Sequence, residues 1–193
     1  MTFESGQPRD LLARRATQLF AARGYAAVGV QEISEAAGVT KPTLYHHFGN
    51  KLGLLRAILQ EEFAGMAVRV SAAAMYRGQL TTTLRDVAGA YFAYADEHPE
   101  FYRLMLLLWF APPDSEERGA SANLFQFQQA MFERLFQDAA RDHGNMKGRH
   151  QAYAATFLGM LNTYIGLRLN GHLRLDHKVI ERAVHQFMHG ILS

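Results

Sequence analysis

At 193 residues, with 49% hydrophobic and 20% charged side chains, the chain has the composition of a folded globular protein, of one domain or two modest ones, and not of a disordered one. The lack of any cysteine excludes disulfides, thiolate metal centres and thiol nucleophiles, and fits a reducing compartment. The net charge is only +2, and that whole excess lies in the first 51 residues, which hold six Lys or Arg against four Asp or Glu.

The start, MTFESGQPRD, has neither an apolar stretch nor a cleavage-like segment, and the strongest apolar run, residues 104–113, falls well short of the ~20 residues a membrane span needs. A cytoplasmic protein is expected. Apolar residues recur at helical spacing nearly throughout, which predicts an all-α fold of about nine helices.

The first helix, residues 9–23, places Leu12, Ala16, Leu19 and Phe20 on one face and stops at Gly24. Residues 29–51, GVQEISEAAGVTKPTLYHHFGNK, read as two short helices around a tight turn. Ile33, Ala36 and Ala37 supply an apolar face, and Gly38 allows the sharp reversal. Thr40 is the expected N-cap of the next helix, with Pro42 in its first turn. Leu44 and Phe48, four residues apart, share a face and can pack back on the preceding helix. Lys41, Thr43, Tyr45, His46 and His47 are then left towards solvent. Such a face suits a helix lying in the DNA major groove, so the stretch is predicted to be a helix-turn-helix.

These residues also resemble a family. VQEISEAAGVTKPTLYHHFGNK, preceded by an amphipathic helix with Gly24 and Tyr25 near its end, is similar to the TetR family of bacterial transcriptional regulators, over residues 11–59. Two positions depart from the pattern: Gly29 stands where Ser or Thr is common, and Ser34 where Ala is usual. The resemblance implies DNA contacts at Lys41, Thr43, Tyr45 and His46, with Thr40, His47 and Gln31 as further candidates. Lys51, just after an Asn50 cap, is expected to clamp a phosphate with its ammonium and the helix N-terminus. The chain is divided on this basis into a DNA-binding head, residues 1–51, and a helical ligand-binding and dimerisation domain, residues 52–193.

A fourth helix from Asn50 to about residue 71 carries the stripe Leu54, Leu55, Ile58, Leu59 and Phe63. A fifth starts near residue 81 and stops before Pro99. The sixth, residues 99–110, is apolar nearly all round, predicts burial on several sides, and ends at Pro112-Pro113. The seventh is placed at residues 123–143, the eighth at 149–170 and the ninth at 176–192, with a break at Gly171.

This second part is rich in aromatic residues and methionine. Any one of them can be ordinary core. Together, Tyr91, Tyr94, Phe101, Met105, Trp109, Phe125, Met131, Phe132, Phe157, Met160 and Tyr164 can also line a cavity, with Gln128, Asn162, Tyr94 and Tyr164 orienting a ligand. The resemblance implies such a pocket among the fifth to eighth helices. It also implies a homodimer through the last two helices, using Phe157, Leu161, Ile165, Val184, Phe187 and Met188, with Ile191 continuing the stripe. Gly159, Thr163 and Gly166 would let a partner helix approach. His185 and His189 have metal-pair spacing but no third ligand in the pattern, so no metal is expected. No cofactor loop, nucleophile elbow or H-E-x-x-H occurs, so no enzyme is expected. The resulting expectation is a dimeric regulator of repressor type that leaves a palindromic operator when a small, largely apolar molecule binds. A regulator answering to a protein partner, and a small helical enzyme, are the alternatives.

Overall fold

The computed structural model describes residues 7–190, among which there are nine α-helices, one short 3-10 turn at Gly144–Met146, and no strand. The helices are α1 (Pro8–Arg23), α2 (Val30–Ala36), α3 (Lys41–Phe48), α4 (Lys51–Ala73), α5 (Leu80–Glu97), α6 (Pro99–Trp109), α7 (Glu116–Ala139), α8 (His150–Leu169) and α9 (His177–His189). Ile191 and Leu192, expected in the last helix, lie outside the described residues.

The chain forms two compact units. One holds residues through Gly65 together with Glu100–Phe125; the other holds Met66–Pro99 and the chain from Gln126 on. The contact boundary thus falls within α4, whereas the division read from the sequence, 51/52, falls at its start.

In the first unit the predicted stripes converge. Leu12, Ala16 and Phe20 of α1, Ile33 of α2, Leu44 of α3, and Leu54, Leu55 and Ile58 of α4 are all fully buried. Burying each of the Leu, Ile and Phe side chains among them is worth roughly 1.5–3 kcal/mol before the chain entropy opposing it. Thr17, facing the same interior, satisfies its hydroxyl on the Ala13 carbonyl at 2.9 Å. Arg9 ties α1 to α4 through an ion pair with Glu61, and its guanidinium lies 5.5 Å from the centre of the Phe48 ring.

Ser34 is the exception in this core. It is 2% exposed, and its hydroxyl has no hydrogen-bond partner among the described residues. A buried hydroxyl without a partner carries its desolvation cost uncompensated. Ser34→Ala is therefore expected to raise stability by about 1 kcal/mol, helped by the better helix propensity of alanine. A urea unfolding midpoint that falls on substitution would show that the hydroxyl is satisfied in solution.

The second unit is built on α5, which packs chiefly on α9 and then on α8. Its centre is aromatic: Phe132 meets Tyr91 at 5.7 Å and Phe157 at 5.5 Å, and Phe187 meets Phe157 at 5.0 Å. Ion pairs at the rim join α5 to its neighbours, Arg168 to Asp96 at 2.8 Å and Arg85 to Glu181 at 2.7 Å. Exposed pairs of this kind add little stability.

Three local expectations need correcting. Helix α7 starts at Glu116, not near residue 123, because Gly119, Ala120 and Ser121 look loop-like in sequence yet Glu116 and Glu117 favour a helix N-terminus. The Thr40 side chain does not cap α3; its hydroxyl pairs with that of Thr43 at 3.0 Å instead. Helix α6 buries one face only: Phe101, Tyr102, Leu104, Met105 and Leu108 are inside, while Leu107, Trp109 and the following Phe110 are exposed.

Candidate nucleic-acid interface and effector region

The α2–α3 turn closes as a helix C-terminus should. Gly38, at φ +67°, donates to the Glu35 carbonyl at 3.1 Å, and Val39 donates to that of Ser34 at 3.0 Å. The reversal delivers Leu44 to the core and aims the opposite side of α3 at solvent. On that outward side lie Lys41, Tyr45, His46 and His47, all exposed, with Thr43 half-buried beside them. Thr40 is exposed at the helix start. The structure therefore gathers the expected recognition residues on one short helix. Gln31, on α2, is also exposed, but its amide donates to the Glu35 carboxylate one turn on.

Lys51 has partners of its own within the head. Its ammonium turns inward and donates to the backbone carbonyls of Tyr25 and Val28, each at 3.1 Å, while lying 4.1 Å from the centre of the Tyr25 ring. Two of its three N–H groups thus hold the α1–α2 connection in place. The helix it opens is capped by Asn50, whose side-chain oxygen accepts from the Gly53 N–H at 2.7 Å. Gly53 went unremarked in the sequence. A Cβ there would sit 2.0 Å from the Phe48 carbonyl oxygen, so only glycine lets α4 start directly against the end of α3.

The expected effector residues divide between the units. Phe101, Met105, Trp109 and Phe125 belong to the first; Tyr91, Tyr94, Gln128, Met131, Phe132, Phe157, Met160, Asn162 and Tyr164 belong to the second. In the second, Tyr91, Phe132 and Phe157 are fully buried, and Tyr94 and Gln128 nearly so. The Gln128 amide donates to the Tyr91 hydroxyl at 3.2 Å, a polar pair among aromatic rings. Burial pushes the Tyr91 phenol well above its ordinary value, so it stays protonated. Trp109, in contrast, is 45% exposed.

An open groove of about 670 Å³ runs along α8 and α9, lined among others by Tyr153, Thr156, Met160, Thr163, Leu167 and Phe187. Met160 and Tyr164 are the expected effector residues that border it. These α8 positions recur every three or four residues and so form one stripe. The opposite stripe is the buried one. Phe157, Leu161 and Ile165, with Val184 of α9, have no exposed surface within the single chain. They are core, and this corrects their assignment to a dimer face; Phe187 and Met188 remain half-buried. The rings of His185 and His189 lie 4.6 Å apart on the exposed side of α9, and no cluster of three metal-ligating side chains occurs among the described residues.

Residues 12–58 match the bacterial regulatory proteins of the tetR family, and residues 84–191 match the tetracyclin repressor-like C-terminal domain. The chain belongs to the TetR family. It is a helix-turn-helix transcriptional regulator, as the sequence of α2 and α3 indicated. A relative, the HTH-type transcriptional activator FasR of Mycolicibacterium smegmatis, is 29% identical over 185 residues, covering 96% of this chain and 83% of its own. Among solved structures, the TetR-family regulator PfmR of Thermus thermophilus superposes with a TM-score of 0.78 at 24% identity, over 97% of this chain and 99% of its own. FadR of Bacillus subtilis, solved in complex with stearoyl-CoA, superposes with a TM-score of 0.77 at 17% identity, over 94% and 98%. At such identities these two likenesses establish the all-helical TetR fold. No helix among the described residues is long and apolar enough to cross a membrane.

Proposed function

We propose that this TetR-family protein is a cytoplasmic homodimer that represses transcription by binding a palindromic operator, and that a small, largely apolar effector with an acyl-like chain releases it. The observation that carries the DNA-binding part is the outward face of α3, where Lys41, Tyr45 and His46 are exposed, with Thr43 half-buried beside them, while Leu44 faces the core. Amines, hydroxyls and imidazoles are the groups that read base edges and phosphates. Dimerisation is supported by the outward stripe of α8, Tyr153 to Leu167, since two heads one DNA turn apart need a fixed spacing.

The effector class is supported by the aromatic interior of the second unit and by the stearoyl-CoA bound to FadR of B. subtilis, which shares the fold. The Tyr91–Gln128 pair offers the one kind of group an acyl thioester can use there, hydrogen-bond donors beside apolar walls. Binding would stabilise a state whose heads are wrongly spaced for the operator.

The test is selection from a randomised duplex pool. The protein should enrich a palindrome with half-sites about 10 bp apart, centre to centre. Its affinity should fall steeply with salt and fall again on adding stearoyl-CoA. A pool left unenriched would end the DNA-binding reading. An enriched duplex held equally well with and without acyl-CoA of any chain length would favour control by a protein partner.

A further inference from the structure

Tyr25 lies at the junction between α1 and α2, 4% exposed, with its ring against Phe20 at 5.2 Å and under the Lys51 ammonium. Its hydroxyl donates to Glu116 Oε1 at 2.6 Å, a contact between positions 91 residues apart within the same compact unit. Burial, reinforced by this carboxylate, holds the Tyr25 phenol above its ordinary value, so the phenol stays the donor.

Glu116 is the first residue of α7. Two positions on, Arg118 reaches in another direction. It donates to the Trp109 carbonyl at 2.6 Å, and its guanidinium lies 5.0 Å from the Trp109 ring centre and 5.4 Å from that of Phe125. One helical turn therefore grips two things: the DNA-reading head through Glu116, and the C-terminal end of α6 through Arg118.

We propose that the Tyr25–Glu116 hydrogen bond is a latch through which the α6–α7 corner positions the DNA-reading head, so that DNA bound by the head is felt at Trp109. This rests on the DNA-binding reading above. Tyr25 is a positioning residue: it acts through the turn it closes and touches no base. A phenol donating to a carboxylate is a short, directional, charge-assisted bond, suited to transmit a displacement. Glu116 is exposed, so water replaces the phenol once the bond is lost. Removing the bond should thus disturb communication more than folding. Linkage makes the effect reciprocal, because whatever the corner imposes on DNA binding, DNA imposes on the corner.

Trp109 is the only tryptophan of the chain, so its emission reports that corner alone. The duplex enriched by the wild-type protein from a randomised pool is titrated to saturation into wild type, Tyr25→Phe, Glu116→Ala and Glu116→Gln. Wild type should show a shift in Trp109 emission. Tyr25→Phe and Glu116→Ala should lose most of it while still binding duplex. Glu116→Gln should keep it, since the amide oxygen still accepts from Tyr25. A purely structural role would lower melting temperatures and leave the shift intact. Should Tyr25→Phe fail to fold, the exposed Glu116 variants decide the matter. The latch is overturned if bound duplex leaves wild-type emission unchanged, if Glu116→Ala keeps the shift, or if Glu116→Gln loses it as Glu116→Ala does, which would point to helix-end charge. A protein that enriches no duplex overturns the DNA-binding reading and the latch with it; a duplex bound without any shift removes the latch alone.

Discussion

Thr163→Arg should give a folded monomer, whereas Ile165→Arg should give no stable fold at all. The two residues are only two positions apart on α8 but face opposite ways. Ile165 has no exposed surface, while Thr163 is exposed and lines the groove beside α9. A guanidinium buried without a partner costs several kcal/mol, a large share of the ~5–15 kcal/mol that holds a domain together. At position 163 the same group stays in water until a second copy arrives. Two-fold symmetry then buries it twice, and the dimer should weaken by orders of magnitude. Sedimentation equilibrium, thermal unfolding and operator titration together check this. The monomer should lose operator affinity out of proportion, because a single head makes half the contacts. A Thr163→Arg protein that remains dimeric would place the interface elsewhere. A well-folded Ile165→Arg protein would mean that the inward side of α8 has been misassigned.

Lys51→Ala should destabilise the protein as well as weaken its grip on DNA. Hydrogen bonds from a charged donor contribute about 1.5–3 kcal/mol each in favourable settings, and Lys51 makes two, to the Tyr25 and Val28 carbonyls. Lys51 is half-buried, so water will replace part of what is lost, and a net loss of about 2 kcal/mol is expected. That loosens the connection preceding α2, and affinity for every duplex should drop together. Lys51→Met, which keeps the aliphatic stem over Tyr25, should lose less. The readings are the urea midpoint and the slope of log affinity against log salt. A lysine that served only as a phosphate clamp would lower that slope by about one and leave the midpoint alone. Finding that pattern would return Lys51 to the DNA contact expected from its place at a helix N-terminus.

The helix-turn-helix was legible in the chain because everything that makes it is local. Gly38 supplies the reversal, Leu44 and Phe48 recur at one helical turn, and Asn50 caps the helix that follows. The helical class was equally legible, since a 3.6-residue apolar period survives without knowledge of any neighbour. On α8 the same rule had no answer. Leu161 and Ile165 repeat at helical spacing, and so do Met160, Thr163 and Leu167 on the other side; only packing against α5 and α9 chose which stripe went inward. The expected pocket residues were ambiguous for a related reason, because bulky side chains mark an interior without saying whether it is filled. Lys51 shows the same limit in polar form. Its partners are backbone carbonyls, which every residue carries, so no side-chain pattern could announce them. Gly53 and the Tyr25–Glu116 bond likewise depend on how close two segments come, to 2.0 Å for a missing Cβ and 2.6 Å across 91 residues. Periodicity identifies the faces of a helix; when both faces are apolar, or the partner is a main-chain atom, only the neighbours brought up by folding decide what each face meets.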